Sequence, residues 1–387
     1  MADRPGSPPT GHTVAVIGAS LGGLAAAVRL AKLGHRVTLV DESPAPAPAV
    51  PERVELPAAW RDLFRKSGRI LDAALGEAGL SLVPAPPTVL SDGVALPDDR
   101  GAQYAALSAA YGSRTADDWR DLVDGLDAVW QVVRRAGLES ELDPTDAPAL
   151  RLLTGRTTVA DLAARVSQPA LAQVVLDVAR DRGCDPAHAP AWWAARLAVR
   201  RTFGQWQVVD ADGRTRPGTV LAALLTERAR HRGVDVLVAA AGGLEPHPDG
   251  VTVRLSGTAG AGALTATAVV SAVDLWRHKR LIGFPPPAVP RHLGPLPLPP
   301  RLLAQAADGR ASWERADTWR ALEPVSGSTH RVWYAGSGSV AGDLPWARVL
   351  VGALATYALH EALTGRDVRP ANVSGHRARP ARVGPAA

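Results

Sequence analysis

The residues with the most chemical content lie at the start of the chain. Gly18-Ala19-Ser20-Leu21-Gly22-Gly23 follows the apolar run Thr13 to Ile17 and leads into Leu24 to Leu33, a stretch of good helix formers. A strand that turns sharply into a helix presents free backbone N–H groups and the positive end of a helix dipole, which is the chemistry of a pyrophosphate site. Gly34 stands where a helix ends, Arg36 to Val40 forms a second apolar strand, and Asp41 closes it. A carboxylate about 20 residues beyond the glycines is placed to accept the hydroxyls of a ribose. The candidate dinucleotide contacts are therefore Gly18, Ala19, Ser20, Gly22, Gly23 and Asp41. Ser20 takes the place of the middle glycine of such fingerprints, the point of closest phosphate approach. Its hydroxyl is a candidate donor to a phosphate oxygen.

A second glycine-rich turn, Gly336-Ser337-Gly338-Ser339, follows a strand-like segment from Val332 and precedes a helix predicted to start near Leu344 or Pro345. It repeats the anion-site logic near the other end of the chain. Asp343 fits either a helix cap or a hydrogen bond to a cofactor.

Other chemistries leave no mark. The chain has one cysteine, Cys184, so it holds no disulfide framework, no CxxC pair and no thiolate metal cluster. HExxH, EF-hand, Walker and nucleophile-elbow motifs are absent, and the ten histidines are spread out with none at a useful spacing. No second glycine fingerprint for NAD(P)H accompanies the first, which argues against a two-nucleotide reductase. Trp192-Trp193 fits core packing better than the wall of an apolar tunnel.

The elements that must position these residues read as α/β with a helical interior. Pro57 to Leu80 spaces Trp60, Leu63, Phe64, Ile70, Leu71 and Leu75 as the buried face of helices. Asp98 to Leu138 is again helical, with a stripe of Leu122, Leu126, Val129, Trp130 and Val133, and Thr157 to Gly183 is a third helical region. Phe203 to Val209 then reads as a strand, Pro217 to Gly233 as a helix, and Val234–Val238, Val251–Leu255 and Thr267–Val273 as strands. Pro285 to Pro300 carries eight prolines and forms no regular element. No internal repeat is present.

Bulk properties set the class. The 387 residues suffice for two domains or one large α/β domain, and 46% hydrophobic content is that of a globular chain. The net charge of +5 does not imply nucleic acid: three of the 43 basic residues are lysines, and the arginines are scattered among alanines. Leu344 to Leu363 is apolar, but Arg348, His360 and Glu361 interrupt it, so it reads as a core helix and not a span. Met1 to His12 is a Pro/Gly-rich polar tail without the features of a leader, and the expected location is cytoplasmic.

Four stretches resemble the flavin-dependent phytoene desaturase and amine oxidase superfamily. They are the opening unit with Gly18, Gly22, Gly23 and Asp41; Leu56 to Asp72; Asp212 to Val253 followed by Ala268 to Asp274; and Val332 to Leu363. The resemblance implies a Rossmann-like FAD-binding domain of the GR2-type flavoprotein class with an interleaved, mainly helical substrate domain. The implied division is a tail at 1–12, FAD domain at 13–97, helical domain at 98–204, and FAD domain again at 205–275. A substrate-domain return at 276–330, a C-terminal FAD segment at 331–365 and a tail at 366–387 complete it. It further implies cofactor contacts at Gly242, Gly336, Ser337, Asp343, Leu344 and Trp346. Two departures stand out: Glu42 to Val54 lacks the family's Gly-Gly-Arg motif, and the chain between Asp274 and Val332 is short.

The resemblance implies an FAD-dependent oxidoreductase taking hydride from an apolar or amine small molecule, with no catalytic residue or metal nominated. Peripheral membrane contact through Phe284 to Leu303 is a further expectation. Two alternatives stand beside it: a catalytically silent binding or partner subunit of the same fold, and a plain NAD(P)-binding Rossmann protein.

Overall fold

The computed structural model describes residues 11–43, 48–139, 146–153, 157–181, 185–187, 189–257, 261–283, 331–336 and 344–370. The opening unit forms as its pattern predicts: β1 (Thr13–Ile17), α1 (Leu21–Lys32) and β2 (Arg36–Asp41). The chain then makes β3 (Val54–Glu55), α2 (Pro57–Lys66), α3 (Leu71–Glu77) and β4 (Leu80–Pro84). A small hairpin of β5 (Thr88–Val89) and β6 (Ala95–Leu96) opens the helical half. Its helices are α4 (Arg100–Tyr111), α5 (Ser113–Arg134), α6 (Ala147–Leu153), α7 (Val159–Ala163), α8 (Pro169–Arg180) and α9 (Ala195–Phe203).

The return consists of β7 (Gln205–Asp210), β8 (Thr215–Arg216), α10 (Thr219–His231) and β9 (Asp235–Val238). A meander of β10 (Ala240–His247), β11 (Gly250–Ser256) and β12 (Gly262–Ala266) follows, then β13 (Ala268–Ser271) and α11 (Leu275–Leu281). The last described elements are β14 (Val332–Tyr334) and α12 (Pro345–Thr364).

The central sheet is parallel, in the order β14-β13-β1-β2-β9. Alternating side chains give it two buried faces. Val14, Val16, Leu39 and Val270 pack with Leu24, Leu225 and Val351 of the helices, while Ala15, Ile17 and Val269 pack with Leu244, Val251 and Val253 of the meander. The result is a Rossmann-like α/β core of three layers: helices, parallel sheet, antiparallel meander. A third sheet, β3-β7-β4 with β8 beside β7, joins this core to the helical half. The helical half has its own core around Trp119, Val123, Leu171, Val175, Trp193 and Leu197.

Several sequence expectations are corrected. Ile70 is 60% exposed, because Gly68 (φ +93°) ends the preceding turn and leaves residue 70 extended before α3. Phe203 closes α9, so the strand begins at Gln205; β10 and β12 were not anticipated. Trp193 is buried and Trp192 packs against the same cluster, as the packing reading holds. The proline-rich stretch, Cys184 and both tails beyond residues 11 and 370 lie outside the described residues. Among the described residues no helix is long and apolar enough to cross a membrane.

Candidate functional site

Strand order locates the site. β2 and β9 lie on one side of β1, and β13 and β14 on the other, so the order reverses between β1 and β13. In an open parallel sheet the crevice at the carboxyl ends of the strands, at this switch point, is where ligands bind. Gly18, Ala19, Ser20, Asp41, Ala272 and Gly336 all follow from the carboxyl ends of sheet strands.

The turn after β1 is built by backbone contacts. Gly18 has φ +92°, and its N–H donates to the Val40 carbonyl at 2.8 Å. The Ala19 N–H donates to Asp41 Oδ2 at 2.7 Å, and the Ser43 N–H donates to Oδ1 at 2.9 Å. Asp41 thus ties the end of β2 to the turn, and each carboxylate oxygen keeps a further lone pair for a hydroxyl. Ser20 is the N-cap of α1: its Oγ donates to the Ala272 carbonyl at 2.8 Å and accepts from the Gly23 N–H at 3.4 Å. The hydroxyl is therefore committed to protein and not aimed at a phosphate, a correction to the sequence reading.

Gly22 and Gly23 are demanded by close approach. A Cβ on Gly22 would overlap the Ala335 carbonyl oxygen, and one on Gly23 would overlap that of Gly18. Among the described residues no acceptor engages the N–H groups of Leu21 and Gly22, the first turn of α1. Free N–H donors at a helix N-terminus are the geometry that can accept an anion, and Asp41 stands beside them with lone pairs to spare.

The remaining sequence candidates divide. Gly242 lies exposed at a β-bulge of β10 just beyond β9, and the nearest atom to a Cβ there would be the Arg254 carbonyl at 3.9 Å. Gly336 is closed in, with Tyr334 Oη 2.5 Å from where its Cβ would stand. Ser337 and Asp343 lie outside the described residues. Leu344 is the N-cap of α12 without a side-chain cap bond, and Pro345 takes the first helical position. Trp346 is in the core: its ring stands edge-on to Trp130 at 5.5 Å, and Nε1 donates to Glu55 Oε2 at 3.5 Å.

Glu55 was not anticipated. It is 6% exposed, and its Oε1 accepts from Arg196 Nε at 2.8 Å and Arg200 Nε at 2.6 Å. Burial alone would raise its pKa, but the two guanidiniums hold the carboxyl down to about 2. Asp181 closes the outer side of both arginines, at 3.3 Å and 3.6 Å. Through Glu55, β3, α9 and the first turn of α12 meet at one charge. A lone glutamate in Val-Glu-Leu gives no sequence signal of this kind.

Arg277 was also missed. Asp274 caps α11 by accepting from the Arg277 N–H at 2.9 Å, and the Arg277 guanidinium pairs with Glu42. Histidines do meet: His35 Nε2 and His360 Nδ1 are 2.9 Å apart, both buried, against the expectation of unpartnered histidines. Among the described residues, no group of three or more His, Cys, Asp or Glu is placed to hold a metal ion.

The fold is that of an α/β protein of Rossmann-like type. The family described as an NAD(P)-binding Rossmann-like domain matches residues 16–67, which holds the turn and Asp41. Among solved structures, putrescine oxidase bound to putrescine is similar with a TM-score of 0.46 and 17% identity, over 73% of this chain and 62% of that one. Cyclohexylamine oxidase from Brevibacterium oxydans IH-35A gives a TM-score of 0.49 and 14% identity, over 91% and 99%. The chain spans about three-fifths of the putrescine oxidase that it matches. No curated protein matches the sequence.

Proposed function

We propose that this chain is an oxidoreductase that holds FAD at the β1–β13 switch point and takes hydride from an apolar or amine small molecule. The observation that carries the reading is the Gly18–Ser20 turn, drawn shut by Asp41 at the N-terminus of α1. Bound FAD would supply the hydride-accepting ring, which no side chain can replace. The chain's own part is positional. Leu21 and Gly22 offer N–H donors to the pyrophosphate, Asp41 accepts from a ribose, and Gly242 leaves open space beside β9. The ion pair of Glu55 with Arg196 and Arg200 fixes the start of α12 against the helical half.

Purified protein should be yellow, with flavin near an equimolar ratio, or become so on reconstitution with FAD. Colourless protein that takes up no FAD overturns the reading. A second reading, a plain NAD(P)-binding protein, is favoured by the matched domain description. Thermal-shift titrations with NAD(H) and FAD separate the two.

A further inference from the structure

Arg277 crosses the mouth of the crevice. It leaves α11, just beyond the carboxyl end of β13, and pairs with Glu42, the first residue after β2. β13 and β2 are the two neighbours of β1, so the strands that this ion pair joins lie about 10 Å apart, with the end of β1 between them. The Gly18 turn is at that end. We propose that Arg277 is the pyrophosphate-binding cation of this chain, held by Glu42 until a dinucleotide takes Glu42's place.

Three observations converge on this residue. The residue that follows β2 at the crevice is an acid, Glu42, and the arginine comes to it from α11 on the far side of β1. The Asp274 cap fixes the backbone of Arg277 at 2.9 Å, leaving the side chain to reach across. The partner is replaceable: Glu42 is 58% exposed and the arginine 32%, and an exposed carboxylate holds an arginine weakly in water. A diphosphate beside helix N–H donors offers more oxygens and more charge, and the planar guanidinium matches two of them at once.

This inference rests on dinucleotide binding at the turn but not on the nucleotide being FAD. The test is dissociation constants for FAD, NAD(H) and inorganic pyrophosphate on the full chain, for the wild type, Arg277→Met, Arg277→Lys and Glu42→Gln. Arg277→Met should weaken the bound dinucleotide roughly 10- to 100-fold, the loss of a charged hydrogen-bond pair. Arg277→Lys should fall between, and Glu42→Gln should match or exceed the wild type because the arginine is released. The salt dependence of binding should flatten in Arg277→Met. Unfolding midpoints without ligand should agree across the set, which separates binding from folding.

Equal affinity in Arg277→Met and the wild type overturns the inference, as does a wild type that binds none of the three probes. Binding of NAD(H) alone, with the same Arg277 dependence, overturns the flavin reading and supports the arginine.

Discussion

The main chains of Gly22 in α1 and Gly352 in α12 cross in contact, so that a Cβ on residue 352 would overlap the carbonyl oxygen of Gly22. Gly22 is itself pressed against the Ala335 carbonyl at the end of β14. The first turn of α1, the C-terminal strand and the C-terminal helix are therefore locked at one point, beside the free N–H donors of that turn. Gly352→Ala should destabilise the protein by about 1–3 kcal/mol through overpacking. Gly125→Ala, in open space on α5, should be neutral or stabilise by up to about 1 kcal/mol. Urea unfolding of the two variants checks the pair, and a loss at residue 125 equal to that at 352 would contradict the contact.

Ser20 tests whether the serine is structural. Its hydroxyl caps α1 and holds the Ala272 carbonyl. Ser20→Ala should cost about 1 kcal/mol of stability, and Ser20→Gly less of the cap component. Dinucleotide affinity should change by less than roughly threefold in both, within about 0.7 kcal/mol. A large affinity loss with unchanged stability would instead place the hydroxyl on a phosphate.

Glu55 is a buried carboxylate shared by two arginines, and removing it leaves the inner side of both guanidiniums without a counter-charge, with Asp181 on their outer side. Glu55→Leu should cost about 3–5 kcal/mol. The pH dependence follows from its depressed pKa of about 2. The contribution is complete above the unfolded value near 4.5 and is lost as pH falls from there toward 2. Unfolding curves between pH 7 and 3 should show this decline in the wild type and a shallower one in Glu55→Leu.

His35 and His360 join the loop between α1 and β2 to the last turns of α12. Burial first, then the neighbouring His360 and His12, together lower the pKa of His35 to about 4, against a smaller main-chain hydrogen bond to His12 that raises it. His360 is likewise lowered, by burial, Arg366 and His12. Glu361 next to it pairs with Arg369. His35 therefore stays neutral in the folded chain and takes up a proton on unfolding. Its contribution, roughly 2–3 kcal/mol, is complete above about pH 6.5 and is lost as pH falls toward 4. His35→Gln should flatten stability between pH 7 and 5. An imidazole NMR titration that puts His35 near 6.5 would contradict this.

What could be read from the sequence followed from local pattern. Gly18, Gly22, Gly23 and Asp41 announce their unit because turn, helix and strand lie within 30 residues, and each element obeys its own period. The buried faces of α2 and α5 were legible for the same reason. Glu55, Arg277 and the His35–His360 pair were not, since their partners lie 141, 235 and 325 positions away and only tertiary packing brings them together. Ser20 stands in the turn that the local pattern marks, but the partner of its hydroxyl is the Ala272 carbonyl, 252 positions distant. Trp346 looked like a site residue by its place in the C-terminal motif; in the fold its ring meets Trp130 and Glu55.

Whether a dinucleotide pyrophosphate sits on the first turn of α1 is decided by a crystal structure of the chain grown with FAD. Pyrophosphate oxygens are expected within hydrogen-bond distance of the Leu21 and Gly22 N–H groups, with a ribose on Asp41. Flavin bound elsewhere, or an empty switch point at saturating FAD, would contradict it.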